Sequence, residues 1–437
     1  MNYSSSEWSE FPVSEIADVI LGGTPKRSEP EFWNGDIKWA TAKDVANCPI
    51  KYIKETQEKI TELGLKKSNA KLLPKGTIVI TARGTVGEVR VLGEPMAFNQ
   101  TCYGLIPKNE SIDGDFLYYA LKNAINKMKT LAYGTVFETI TTRTFDELTI
   151  PIPPPSEQKR IAEILGSLDD KIELNYEMNK TLEAIAQAIF KHWFIDFEPF
   201  QDDLVYNEEL DKEIPEGWEV VRLGEICKIN MGQSPPSTTY NKERKGLPFF
   251  QGIKDFGFRH PNPSVYCSAP RKIAEPGDIL FSVRAPIGEL NIALERSCIG
   301  RGIAALRYKF GSNNFLFYLF KSTQKYWKRV YEGSGTVFGC VTKEHLNNFE
   351  LVFPGKDIVE NFNSIVGPLD EMIKKNEEES TILAQIRDTL LPKLLSGEIR
   401  VKIDIEEEFP KETKKLVEIR KEKTRIRKTL LDFFEGV

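Results

Sequence analysis

Apolar positions follow two rhythms along this chain. In "TIVITA" from Thr77 and "DILFSV" from Asp278, β-branched and aromatic residues alternate or run on, which predicts strands. Pro and Gly punctuate the intervals between such runs. "GDFLYYALKNAINKMK" from Gly114 and "NNFLFYLFKSTQKYWK" from Asn313 carry the rhythm of amphipathic helices. After "PPPSEQKR" a longer run begins. Its seam is Ile161, Leu165, Leu168, Ile172, Asn175, Asn179, Leu182, Ala186, Ile189 and Trp193. A second seam reads Phe362, Val366, Leu369, Ile373, Asn376, Ser380, Leu383, Arg387, Leu390 and Leu394. The four-three spacing is that of a heptad seam with polar interruptions.

A single seam of this kind fits an amphipathic helix packed on its own domain as well as it fits helix pairing. Polar residues at matching places favour pairing, because a buried Asn fixes the register of partner helices. The residues expected to pair are Leu168, Ile172, Asn175, Leu182, Ile189, Leu369, Ile373, Asn376, Leu383 and Leu390. Ser156 is the expected N-cap, with Glu157 in the first turn. Gly166 and the Gly367-Pro368 pair are expected to break the helices, leaving continuous parts of about 28 residues, or roughly 42 Å. Pro392 should kink the second run and Gly397 should cap it.

The two runs belong to a duplication. "GTVF" recurs at Gly134 and Gly335, a shift of 335 − 134 = 201. The same shift aligns "KGTIVITARGTVGEV" from Lys75 with "PGDILFSVRAPIGEL" from Pro276, Leu168-Asp169 with Leu369-Asp370, and Asn175 with Asn376. Upstream the shift becomes 210, matching Trp8 with Trp218 and "GGTP" at Gly22 with "GQSP" at Gly232. A loop of different length lies between the anchors. The expected fold is α+β: two similar mixed α/β domains with antiparallel sheets, joined by two long antiparallel helices about an approximate two-fold axis. The boundaries are 1–152 and 201–354 for the domains, 153–200 and 355–401 for the helical segments, and 402–437 for a charged tail. Three prolines from Pro153 stiffen the first joint, and "VFPGKD" keeps only one, so the second should be less stiff.

Composition changes this picture little. The 437 residues, 41% hydrophobic and 28% charged, suit two or three soluble domains. Neither a long apolar run nor a basic, apolar leader is seen, so a cytoplasmic location without membrane contact is expected. The six cysteines are scattered without a CxxC pair and there are three histidines, which predicts no metal site, no disulfide scaffold, and buried or inert thiols. A net charge of −5 does not announce a nucleic-acid binder, but phosphate contact needs only a local basic face.

A rod with a similar reader at each end is a ruler, and DNA half-sites on one face are spaced by turns of about 34 Å. The residues also carry a resemblance. "IPIPPPSEQKRIAEIL", "LDDKIELN", "HWFIDFEP", "EIPEGWEVVRLGEI" and "LLPKLLSGEI", together with the duplication, resemble the specificity subunit of Type I restriction–modification systems over about residues 1–401. The resemblance implies that each domain is a target recognition domain for half of a bipartite double-stranded DNA site. It implies that the helices set the gap and dock adenine methyltransferase subunits, two in number, and that a restriction and translocase subunit adds cleavage. S-adenosylmethionine, and ATP with Mg, would then sit on those partners, with no cofactor on this chain.

Missing motifs agree with a non-catalytic subunit. "NPSVY" at Asn262 has Ser where the second Pro of an adenine methyltransferase motif belongs, and there is neither a Gly-rich S-adenosylmethionine loop nor a GxxxxGK[ST] phosphate loop. The alternatives are a stand-alone DNA-modifying enzyme with unrecognised motifs and a transcription regulator reading two half-sites; no helix-turn-helix supports the latter. Side chains suited to base edges or phosphate are Lys43, Arg83, Thr85, Gln100, Thr141, Thr142 and Arg143 in the first domain. In the second they are Lys254, Arg284, Arg301, Thr342 and Lys343. Residues shared at corresponding positions, such as Arg83 and Arg284, could equally mark a scaffold ion pair. The two "GTVF" segments read as turns with a buried Phe. The tail has a possible apolar face at Leu416, Ile419, Ile426 and Leu430 and could pack as a helix, meet a partner, or stay solvated.

Overall fold

The structure is a computed structural model that describes residues 8–131, 139–331 and 339–401. The "GTVF" segments and the tail lie outside these residues. The chain divides into two compact units. Unit 1 holds residues 1–173 and 383–437; unit 2 holds 174–382.

In unit 1, strands Ala17–Leu21, Cys102–Pro107, Ile78–Thr81 and Val89–Leu92 run antiparallel in that spatial order, and Tyr52–Ile53 adds in parallel to Val89–Leu92. In unit 2, Cys227–Met231, Ile303–Tyr308, Ile279–Ser282 and Leu290–Ile292 form the same antiparallel series. Register repeats as well: Val79 faces Gly104 and Arg90, while Leu280 faces Ala305 and Asn291. Every residue of Ile78–Thr81 and Ile279–Ser282 is buried, which explains their nearly unbroken apolar runs. A second sheet pairs Trp33–Ala40 with Glu58–Ile60 and, in parallel, with Ala97–Phe98. Its counterpart pairs Leu247–Phe250 in parallel with Ser297–Ile299.

The two long helices, Pro155–Phe194 and Lys356–Leu395, each run forty residues without a break. Neither Gly166 nor Gly367-Pro368 interrupts them, contrary to the sequence expectation. A proline clashes with the Cβ of the residue before it in helical conformation, and Gly367 has none. The second helix also runs past Pro392 to Leu395, and Gly397 caps it with φ +71°. Ser156 is not the N-cap: the first helix starts at Pro155, and the Pro154 carbonyl accepts from Glu157 and Gln158 N–H at 2.9 and 3.0 Å. A proline at the first helical position lacks only an N–H that would be orphaned anyway.

The helices pack together, and the seam divides between the two readings. In unit 2, Ala186, Phe190, Phe194, Phe362 and Val366 share one core with Phe315–Phe320 of the domain helix Asn314–Ser322. In unit 1, Ile161, Leu165, Leu391 and Leu394 share a core with Phe116, Leu117 and Leu121 of Gly114–Leu131. Direct pairing carries the polar middle. Asn175 Nδ2 donates to Glu379 Oε2 (2.8 Å) and Ser380 Oγ (3.1 Å), and Asn376 Nδ2 donates to Asn179 Oδ1 (2.8 Å). Residue numbers rise on one helix as they fall on the other, so the pairing is antiparallel. Leu168, Leu182, Ile373 and Leu383 are buried; Ile172, Ile189, Leu369 and Leu390 are half-buried.

The joints are built alike. Ser9–Pro12 pairs with Thr149–Ile152 just before the first helix, and Glu219–Arg222 with Glu350–Phe353 before the second. At the first joint the buried Gln158 donates to the Pro153 and Ser111 carbonyls and accepts from Asp113 N–H at 2.9–3.0 Å. Glu157 accepts from Trp8 Nε1 at 3.2 Å and Arg400 Nε at 2.9 Å. At the second, Gly355 at φ +86° precedes the helix, and Asn363 Oδ1 accepts from Phe315 N–H at 3.1 Å. All six cysteines are free. Burial pushes the Cys102 and Cys227 thiols up to about 12. Cys48 is half-buried and Cys340 is exposed, in the short segment before the helix Lys343–Asn347.

Candidate nucleic-acid interface

Three strand ends converge in each unit. In unit 1 they are Ala17–Leu21 running into "GGTP", Trp33–Ala40 running into Thr41-Ala42-Lys43, and Ala97–Phe98 turning through Asn99-Gln100-Thr101. In unit 2 they are Cys227–Met231 running into "GQSP", Leu247–Phe250 running into Gln251 to Lys254, and Ser297–Ile299 turning through Gly300-Arg301-Gly302.

A ladder of backbone hydrogen bonds fixes these ends, and it is the same in both units. In unit 1, Asn99 N–H donates to Ala40, Ala82 N–H to Thr101, and Ile140 N–H to Ala82, at 2.9, 2.7 and 3.0 Å. In unit 2, Gly300 donates to Phe250, Val283 to Gly302, and Val341 to Val283, each at 2.9 Å. Gly22 and Gly232 join at the end, donating to the Cys102 and Ile303 carbonyls at 3.1 and 2.9 Å. A Cβ on either glycine would come 2.1 Å from a backbone oxygen, so no larger residue fits there. Each step obeys the 201 or 210 shift of the sequence repeat.

The ladder strings the candidate side chains together. Lys43 follows Ala40, Gln100 lies between Asn99 and Thr101, Arg83 follows Ala82, and Thr141 follows Ile140. Lys254, Arg301, Arg284 and Thr342 stand likewise in unit 2. All eight are exposed. The turns with Arg83 and Arg284 are shaped by a buried hydroxyl: Ser282 Oγ donates to the Pro286 carbonyl at 2.7 Å and accepts from Glu289 N–H at 2.8 Å. Thr81 does the same, donating to the Thr85 carbonyl and accepting from Glu88 N–H at 2.9 Å.

Partners separate these residues further. Arg83, Arg284, Lys43, Lys254 and Arg301 have no ion-pair partner among the described residues. Arg143, by contrast, donates from Nε to Glu147 Oε1 at 2.7 Å. Thr342 caps the helix Lys343–Asn347, its Oγ1 accepting from His345 N–H at 3.2 Å, and Thr141 N–H donates to Thr144 Oγ1 at 3.1 Å. Lys343 and Thr142 begin the two short helices and are exposed.

Sequence reasoning missed Thr24, Ser234 and Gln251. Thr24 Oγ1 donates to Gln100 Oε1. Ser234 Oγ donates to Gln251 Oε1 at 2.8 Å and accepts from Arg301 N–H at 3.2 Å. In unit 2 these residues line a groove of about 550 Å³ with Lys254, Tyr240 and Phe249, whose rings stack at 4.5 Å. In unit 1, Arg27 lies 3.9 Å over the Trp33 ring and bonds Glu58 through Nη2 at 2.8 Å. The sequence signal for this loop is the repeated Thr/Ser-Pro of "GGTP" and "GQSP".

The Type I restriction modification DNA specificity domain matches this sequence twice, over residues 5–184 and 215–387. The chain belongs to that family. It is similar to the MjaIX specificity subunit of a Type I restriction enzyme from Methanocaldococcus jannaschii, 34% identical over 412 residues that span 90% of this chain and 94% of that one. It is likewise similar to the putative MjaX specificity subunit of the same organism, 35% identical over 92% of this chain and 97% of the other. A crystal structure of the Type I system S subunit from M. genitalium superposes with a TM-score of 0.49 and 21% identity, covering 89% and 96% of the two chains. As a family member the chain is a DNA specificity subunit of a Type I restriction–modification system, a subunit without catalysis of its own. Among the described residues no helix is long and apolar enough to cross a membrane.

Proposed function

We propose that each unit reads one half of a bipartite double-stranded DNA site along its backbone ladder, and that the helices set the gap between the halves. The observation that carries this reading is the repetition of the ladder. The same hydrogen bonds carry like side chains in both units, Lys43 and Lys254, Arg83 and Arg284, Thr141 and Thr342, but place Gln100 in one where the other has Arg301, as expected of one scaffold with shared contacts and a position that differs between two sequences. Arg83 and Arg284 suit phosphate or guanine, while Lys43, Lys254, Arg301 and Lys343 add positive charge, with Gln100, Thr85, Thr141 and Thr142 as polar contacts. Arg143 and Thr342 contribute less, being held by Glu147 and His345 N–H. Forty residues of helix measure about 60 Å, enough for a rigid spacer several base pairs long.

The chemistry then belongs to partners. Two adenine methyltransferase subunits with S-adenosylmethionine would dock on the helical segments, and a restriction and translocase subunit would bring ATP and Mg, in the cytoplasm. The test is to assemble the chain with its methyltransferase subunit and map methylated adenines in genomic DNA. A bipartite motif is expected. Insertion of a heptad into each helix should lengthen its gap and leave both half-sites unchanged. A contiguous motif, or an altered half-site after insertion, contradicts the reading.

A further inference from the structure

Thr24 and Ser234 occupy the same place in the repeat, yet their hydroxyls hold glutamines at different places. Thr24 holds Gln100, on the turn after Ala97–Phe98, whereas Ser234 holds Gln251, on the end of Leu247–Phe250. The position equivalent to Gln100 is Arg301, and the position equivalent to Gln251 is Thr41. From this displaced pairing we infer that a loop hydroxyl and a glutamine form the base-reading device of each unit, presenting amide donors to an acceptor-bearing base edge in the major groove. This inference rests on the DNA-reading function proposed above.

The hydrogen bonds determine which end of the amide is offered. A serine hydroxyl has one proton. Ser234 accepts from Arg301 N–H at 3.2 Å and spends its own proton on Gln251 Oε1 at 2.8 Å. The amide oxygen is thereby held inward and the Nε2 donors remain for a ligand. Gln251 is exposed, and Arg301 beside it can only donate. Two sets of donors in one groove match guanine, whose major-groove edge carries the N7 and O6 acceptors.

The surroundings of Gln251 are fitted to it. A Cβ on Gly300 would lie 2.4 Å from Gln251 Oε1, and one on Gly302 would lie 2.3 Å from its carbonyl oxygen. Unit 1 has Asn99 and Thr101 at those places and no glutamine to accommodate. There Thr41 Oγ1 is occupied by Asp44 Oδ2 at 2.6 Å, and Asn99 Oδ1 accepts from Thr101 Oγ1 at 2.6 Å. Gln100 is the exposed amide that remains on this turn. Changes at 251 and 300 thus move the device from one strand end to the next, which shifts the base pair it meets while the scaffold stays constant.

The experiment is methylation mapping with the assembled methyltransferase complex, comparing the unaltered chain with Gln251→Ala, Gln251→Glu and Gln100→Ala. Gln251→Ala should relax one base position of one half-site, lowering discrimination there about tenfold or more, the usual value of a good base contact. Gln251→Glu replaces a donor with an acceptor and should shift that position toward cytosine, whose N4 donates. Gln100→Ala should relax a position of the opposite half-site. Ser234→Ala frees the amide to turn and should weaken the same position as Gln251→Ala. An unchanged motif with Gln251→Ala overturns the inference, as does relaxation of both halves by one variant. If Gln251→Glu abolishes methylation, the alanine variant decides. Should the unaltered complex give no bipartite motif, the proposed function fails first; a bipartite motif indifferent to Gln251 and Gln100 sinks the device alone.

Discussion

Asp169 in unit 1 and Asp370 in unit 2 occupy the same place in the repeat, and each accepts a tyrosine hydroxyl and an arginine. Tyr119 OH donates to Asp169 Oδ2 at 2.6 Å, and Tyr318 OH to Asp370 Oδ1 at 2.5 Å. The tyrosines align too, within "FLYYAL" and "FLFYLF". Burial and then the Asp169 carboxylate push the Tyr119 hydroxyl up, so it stays a donor. The arginines differ. In unit 1 it is Arg387, from the second long helix; in unit 2 it is Arg259, from a loop of the domain, at 2.6 Å from Asp370 and 3.1 Å from Glu183. A buried carboxylate needs a cation, and the chain supplies one from whichever segment lies nearby. The two copies share the acid and its tyrosine, and the counter-charge comes from a different segment in each.

The largest test of that difference removes the arginines. Arg259 is buried, and Arg259→Ala leaves Asp370 and Glu183 without their guanidinium. Urea unfolding of the full chain should show unit 2 weakened by about 3–5 kcal/mol, the usual loss when one partner of a buried pair is removed. Arg387 has one buried partner and one exposed, so Arg387→Ala should weaken unit 1 by about 1.5–3 kcal/mol. Equal losses in the two variants would deny that burial separates the two anchors.

The asparagine layer comes next. Asn376→Leu leaves the buried Asn179 Oδ1 without its donor and should cost about 1–3 kcal/mol in a thermal or urea transition. Replacing Asn175, Asn179 and Asn376 together with Leu should recover that loss but admit other registers of the helix pair. Cysteine cross-linking across the seam would detect them as extra linked products; a single product would remove register control from the asparagines.

The lysines beside the tyrosines sharpen the contrast through pH. Lys321 pairs with Glu183 at 2.9 Å. Lys122, its counterpart, is pushed down to about 8, first by burial and then by the nearby Arg387. An unfolded lysine holds its proton up to about pH 10.4, so between about 8 and 10.4 only the unfolded chain binds it. Folding should therefore strengthen as pH rises through that window. Lys122→Met should remove this part of the slope and stabilise the chain at pH 7 by about 1–2 kcal/mol. An unchanged stability difference between the two proteins from pH 7 to 10 would exclude the effect.

The smallest expected difference concerns Gly166 and Gly367, equivalent residues inside the long helices. Neither would meet anything beyond its chain neighbours within 4 Å of an added Cβ. Gly166→Ala should stabilise by about 0.5–1 kcal/mol, as alanine does in helix interiors. Gly367→Ala should instead destabilise, because Pro368 follows it. Melting temperatures that move the same way would contradict that account.

Periodicity, repeat spacing and turn residues determined much about this protein: the duplication, the antiparallel sheets, the two long helices and the pairing asparagines. These are local signals, written in side-chain rhythm and readable at a constant shift. Helix continuity was not legible, because Gly and Pro each signal a break and only their adjacency at Gly367-Pro368 relieves the clash. The ladder joining residues 40, 99, 101, 82 and 140 was not legible either, since strand ends distant in sequence meet only when both sheets have formed. Gln251 escaped notice for the same reason. Nothing near it in the chain announces Ser234, and the glycines that seat it stand fifty residues away. Polar partners in a site are chosen by proximity in space, which the tertiary structure alone decides.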